Sequence, residues 1–122
     1  MPIEKNTIAI VEDSSDCADQ HRQHLKANGA NSIIFRSSGE FEKFISEQKN
    51  LKRLRLKTVI TDGLEGNWRS VVESARSHGI ETVWLITGNS NFISESKSLS
   101  GVKAISKAEL HQNPEQYKRV AE

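Results

Sequence analysis

Val59-Ile60-Thr61-Asp62-Gly63 sets one carboxylate at the end of a short apolar run. Lys57 to Thr61 has the composition of a strand, because β-branched residues dominate it and Gly63 ends it. A nearly continuous apolar run of this kind suits a parallel strand covered on both faces. Open α/β sheets place ligands beyond the C-terminal ends of such strands, so Asp62 is either a structural acid or a reacting group. Two further runs bear on that choice. Ile8-Ala9-Ile10-Val11 leads into Glu12-Asp13, and Val102-Lys103-Ala104-Ile105-Ser106 leads into Lys107.

The bulk properties narrow the setting. A chain of 122 residues, 35% hydrophobic and 27% charged, matches one globular domain with a single core. A net charge of +1 makes no electrostatic case for nucleic acid or a membrane surface. No apolar stretch approaches the roughly 20 residues that span a bilayer, and no signal-peptide pattern precedes the first strand. The single Cys17 cannot form an internal disulfide, which fits a reducing compartment. A cytoplasmic setting is expected.

Along the chain, strands and helices alternate. Thr7 to Val11 is the first strand, and Ser14 to Gly29 a helix with Ser14 or Ser15 as N-cap. Cys17, His21, His24 and Leu25 recur on one face of that helix, which is expected to pack on the sheet. Ser32 to Phe35 is a second strand, and Ser38 opens a helix running to about Lys49 on an apolar face of Phe41, Phe44 and Ile45. After the Lys57 to Thr61 strand, Asn67 is expected to cap a helix to about His78, with Trp68, Val71, Val72 and Ala75 inward.

Thr82 to Ile86 is the fourth strand. Asn89 to Ser100 is rich in serine and reads as a short, weakly held helix. Val102 to Ser106 is the fifth strand, and Glu109 to Ala121 a last helix with Pro114 in its first turns. The repeated βα alternation implies an α/β fold, a doubly wound parallel sheet with helices on both faces. The strand C-termini would then gather Glu12, Asp13, Asp62, Thr87 and Lys107 at one edge. Carboxylates packed together repel unless a cation neutralises them, and a hard, oxygen-seeking ion such as Mg²⁺ suits them. With Thr87 and Lys107 as donors to phosphoryl oxygens, the set suits phosphoryl transfer onto a carboxylate.

Over nearly its whole length, residues 1–122, the chain resembles a receiver domain of the two-component response regulator family, the CheY-like superfamily. The resemblance rests on Glu12-Asp13 after the first strand, Asp62 ending the third, Thr87-Gly88 after the fourth and Lys107 after the fifth. It implies a stand-alone (βα)5 flavodoxin-like receiver with strand order 2-1-3-4-5 and no output domain. It implies Asp62 as phospho-acceptor, and Mg²⁺ or Mn²⁺ held by Glu12, Asp13, Asp62 and the backbone carbonyl of Leu64. Thr87 and Lys107 would bind the phosphoryl oxygens. The implied partners are a histidine kinase or histidine phosphotransfer protein and a downstream protein target, and the domain would be a switch rather than an enzyme.

Three departures from the family pattern stand out. The loop after Asp62 is short, Ala108 follows the lysine where the family has proline, and Ala104 replaces an aromatic residue. They favour an alternative reading, a receiver fold that binds a protein without being phosphorylated. A small-molecule phosphohydrolase is a poorer match, because Leu64 stands where its second aspartate would be. Elsewhere the plain readings hold: Cys17, Trp68 and Trp84 as packing residues, and Lys49, Lys52, Arg53, Arg55 and Lys57 as a solvated connection. His21 and His24 are expected to be explained by a partly buried helix face.

Overall fold

The computed structural model describes residues 7–47 and 56–121. Its strands are β1 (Thr7–Val11), β2 (Asn31–Phe35), β3 (Leu56–Thr61), β4 (Thr82–Thr87) and β5 (Val102–Ser106). They form one five-stranded sheet in the order β2-β1-β3-β4-β5, every pair parallel. This is the doubly wound architecture and strand order expected above. The helices are α1 (Ser15–Ala27), α2 (Ser38–Ile45), α3 (Trp68–Ser77), α4 (Ser90–Ser96), α5 (Lys107–Gln112) and α6 (Tyr117–Ala121).

Successive strand residues feed two cores. Ala9, Val11, Val59, Val83 and Leu85 pack with Phe41 and Ile45 of α2 and Trp68, Val71 and Val72 of α3. Ile8, Ile10, Ile60, Trp84, Ile86 and Ile105 face the other way, against Ala18 and Leu25 of α1, Leu110 of α5 and Tyr117 and Val120 of α6. Burial on both sides is why the strands carry almost no polar alternation. From β1 the chain crosses to β2 on one side and later to β3 on the other. The resulting switch point opens a crevice beyond the C-termini of β1 and β3. Among the described residues no helix is long and apolar enough to cross a membrane.

Local details differ from the sequence expectation in three places. Ser14 caps α1, accepting the Cys17 N–H at 3.4 Å, but Asn67 makes no side-chain cap bond because its backbone is already helical. Leu64–Gly66 instead forms a 3₁₀ turn that leads into α3. The expected single last helix is broken: α5 starts at once on Lys107, capped by Ser106, and ends before Pro114. Proline lacks the N–H that a continuing helix needs and disfavours helical backbone at the residue before it, here Asn113 at φ −127° and ψ 70°. As expected, α4 is short, and the Asn89 side chain caps it, accepting the N–H groups of Asn91 and Phe92 at 2.9 and 3.2 Å. The expected extension of the second helix to Lys49, and the basic residues Lys49, Lys52, Arg53 and Arg55, lie outside the described residues. On the α1 face, His21 and Leu25 are buried while Cys17 and His24 are half-buried.

Candidate phosphoryl-acceptor and metal site

Parallel pairing of β1 with β3 sets Val11 opposite Thr61, so the residues that follow each strand meet at the crevice. The Asp62 N–H donates to the Val11 carbonyl at 2.9 Å and the Glu12 N–H to the Phe35 carbonyl at 2.9 Å, extending the sheet's bonding through both acids. Glu12, Asp13 and Asp62 consequently bring carboxylate oxygens within 4.8 Å of one another. Glu12 is only 1% exposed, Asp62 is half-buried and Asp13 is exposed.

Glu12 carries the clearest sign of a missing partner. Its Oε1 accepts the Ser14 N–H at 3.1 Å, while its buried Oε2 accepts no hydrogen bond among the described residues. The nearest cation to that oxygen is the Lys107 ammonium at 3.4 Å, too loosely aligned to donate to it. Burial is the main force on Glu12 and, with the Asp62 charge adding to it against the Ser14 bond and Lys107, pushes its carboxyl up to about 7. The three-carboxylate set therefore fits a divalent ion, whose hard oxygen ligands it would supply.

Lys107 closes the site from the β5 side. As the first residue of α5 it reaches back to Asp62, donating to Oδ1 at 2.9 Å. Burial alone would push its ammonium down, but the Asp62 hydrogen bond and the Glu12 and Asp62 charges outweigh that and raise it. Lys107 also approaches Cys17 Sγ at 3.9 Å.

The turn after Asp62 is tightly constrained. Leu64 and Glu65 adopt φ of 48° and 55°, a region unfavourable for side chains other than glycine and asparagine, before Gly66 at φ 102°. That turn aims the Leu64 N–H at Asp62 Oδ2, 3.3 Å away. The Leu64 carbonyl accepts the Asn67 N–H at 3.0 Å and keeps its second lone pair. Gly63 must be glycine for a different reason: a β-carbon there would lie 2.9 Å from both Thr87 Oγ1 and a Phe92 ring carbon. The buried Thr87 hydroxyl thus sits against the residue after Asp62, accepting the Asn89 N–H at 3.1 Å.

All the side chains expected from the sequence are thus gathered at one sheet edge. Sequence reasoning misses Phe92, Arg69 and Glu95 as neighbours of the site. The Phe92 ring lies 6.0 Å from that of Trp68, and Arg69 sits over both rings while forming an ion pair with Glu95. A lone phenylalanine in a serine-rich stretch is the only local signal; its partners lie more than twenty residues away in sequence. Removing one of the three carboxylates tests the metal set directly. Asp13→Ala is expected to weaken Mg²⁺ or Mn²⁺ binding about tenfold or more by loss of one charged ligand. Calorimetric titration checks this, and unchanged affinity would take Asp13 out of the set.

No protein-family model matches the sequence, nor does any curated protein. Solved structures do match the fold. A response regulator from Thermotoga maritima aligns at TM-score 0.67 and 17% identity, covering 94% of this chain and 98% of that one. The receiver domain of the hybrid histidine kinase CckA aligns at TM-score 0.62 and 20% identity, covering 93% and 99%. A de novo designed Rossmann 2x3 protein aligns equally well, at TM-score 0.67 and 14% identity, covering 96% and 90%. Since a designed scaffold shares the architecture, chemistry has to be argued from the side chains at the crevice. In its strand order and its alternating helices, this chain has the fold of the response-regulator receivers with which it aligns.

Proposed function

We propose that the protein is a phospho-accepting signalling switch of the two-component or phosphorelay kind, with Asp62 as the acceptor. The observation that carries this reading is the buried, hydrogen-bond-orphaned Glu12 Oε2 beside Asp62, with Lys107 as the only cation between them among the described residues. Glu12, Asp13, Asp62 and the Leu64 carbonyl would hold Mg²⁺ or Mn²⁺. Bound there, the ion supplies the positive charge that an incoming phosphoryl group otherwise lacks. Asp62 presents a carboxylate oxygen to phosphorus, the phosphorus–nitrogen bond of a phosphohistidine donor breaks, and imidazole leaves. Lys107 then exchanges its carboxylate partner for a phosphoryl oxygen, and the Thr87 hydroxyl donates to another.

A histidine kinase or histidine phosphotransfer protein would be the donor, and output would leave by contact with a downstream protein. A rearrangement at Thr87 meets Phe92 through Gly63, and Phe92 meets Trp68. Ala104, half-buried beside Leu85, provides no aromatic group for a route through β5. That absence and the Arg69–Glu95 pair, which fastens α4 to α3, are the observations that favour the second reading, a protein-binding module insensitive to phosphorylation.

Beryllium fluoride separates the two. Trp68 is fully buried beside Phe92, whereas Trp84 lies on the other face of the sheet. With Mg²⁺ present, beryllium fluoride is expected to change Trp68 fluorescence in a Trp84→Phe background, and without the cation to leave it unchanged. A protein silent in both conditions, with its fold intact by circular dichroism, would favour the binding module.

A further inference from the structure

At the opposite end of the sheet from the acids, a cavity of about 230 Å³ opens between α6 and the N-terminal parts of β3, β4 and β5. Its lining includes Lys57, Thr58, Thr82, Trp84, Lys103 and Arg119. Strand register puts Thr58 beside Thr82 and Trp84 beside Lys103. The Lys103 ammonium stands 5.3 Å from the Trp84 ring centre and the Arg119 guanidinium 5.5 Å from the same ring. Two cations therefore converge on one indole.

Attraction to the ring explains either cation singly, but not the absence of an acid between them. Arg69 shows how this protein settles a cation over an aromatic pair elsewhere: Glu95 neutralises it. Around Trp84 no such pairing is made. Among the described residues none of Lys57, Lys103 and Arg119 forms an ion pair, and Arg119 bonds only the neutral Gln116 side chain, at 3.2 Å. Glu81 is the sole acid among the described lining residues, against three cations. The half-buried Thr58 and Thr82, register partners in the cavity lining, make no side-chain hydrogen bond to the described residues. With chain charge at only +1, this concentration of positive charge is local rather than general.

We propose that this cavity binds the phosphoryl group of a small phosphomonoester, with Lys103 and Arg119 pairing its oxygens and the two threonine hydroxyls donating to it. A guanidinium, an ammonium and two hydroxyls lining one cavity match the donors that a tetrahedral dianion takes. The cavity is smaller than the roughly 300–1,000 Å³ of drug-sized pockets, which suits a phosphate bearing a short polar group. The assignment does not depend on the acceptor reading of Asp62, because the two sites lie at opposite strand ends.

The test is an NMR titration of ¹⁵N-labelled protein in EDTA at fixed ionic strength, first with inorganic phosphate and then with glycerol 3-phosphate. The Trp84 indole N–H and the Lys103 and Arg119 amides are expected to shift saturably, with glycerol 3-phosphate binding at least as tightly as phosphate. Lys103→Gln and Arg119→Gln, both at exposed positions, are each expected to weaken binding about tenfold. Saturation by phosphate alone would overturn the phosphomonoester assignment in favour of the free ion. Shifts that stay linear, that chloride reproduces, or that Arg119→Gln leaves unaltered in a variant with unchanged melting temperature would overturn the anion site itself.

Discussion

With acetyl phosphate and Mg²⁺, the wild-type protein is expected to gain the mass of one phosphoryl group, and Asp62→Asn to gain none. The amide in that variant has no carboxylate oxygen to attack phosphorus with expulsion of acetate, so the loss should be complete rather than graded. Omitting the cation should also suppress labelling, because three neighbouring carboxylates repel the incoming oxygens and Lys107 alone offsets one charge. Lys107→Ala removes that remaining positive charge from the acceptor and is expected to slow labelling roughly a hundredfold. Thr87→Ala removes a single hydroxyl donor and should cost about tenfold. Intact-mass spectrometry over time gives all of these values. A wild-type protein that stays unlabelled, or an Asp62→Asn variant that is labelled as fully, would refute the assignment of the acceptor.

The second large effect concerns stability in acid. His21 of α1 is 5% exposed, its Nδ1 lies 2.6 Å from the Tyr117 hydroxyl of α6, and its Nε2 has no partner among the described residues. Burial first, then the Lys107 charge, pushes this imidazole down to about 4 from its ordinary 6.5. The folded protein thus holds the neutral ring, and its stabilisation is complete above pH 6.5. It declines as the pH falls through that value toward 4, because only the unfolded chain readily takes up the proton. The whole effect amounts to about 3 kcal/mol. Glu12 works in the opposite sense: raised to about 7 from 4.5, it favours the fold below pH 4.5 and loses that contribution as pH rises through 7 in cation-free protein. Comparing wild type with His21→Leu by urea midpoint from about pH 4 to about pH 8 isolates the histidine. The wild-type midpoint is expected to fall relative to the variant as the pH drops below 6.5, and parallel curves would show that His21 does not titrate between the two states.

The His21–Tyr117 contact also illustrates where sequence reading stops. His21, His24 and Leu25 announce a helix face through their spacing, a local property fixed by helical geometry. That His24 stacks on Tyr117 at 4.6 Å, and His21 bonds its hydroxyl, depends on α6 being a separate piece that folds back over α1. Pro114 supplies the break that makes α6 separate. The proline is visible in the sequence, but it reads as a first-turn residue only if the helix begins at Glu109. The Ser106 cap, accepting the Glu109 N–H at 3.0 Å, starts that helix two residues earlier, at Lys107, and leaves the proline beyond its end.

For the site, residue order is enough to gather Glu12, Asp13, Asp62, Thr87 and Lys107. In a parallel sheet every strand delivers its C-terminus to the same edge, so position along the chain already implies neighbourhood in space. The two strand faces are legible for the same reason, since apolar runs at Ile8–Val11 and Val59–Thr61 have no polar side to expose. Partnership between side chains is another matter. Nothing in the order of residues says that Glu12 Oε2 is left without a hydrogen bond, that Phe92 presses on Gly63, or that Lys103 and Arg119 converge on Trp84. Those facts depend on rotamers and on helices docking within a few ångströms of the sheet, and close packing sets them only when the whole chain has folded.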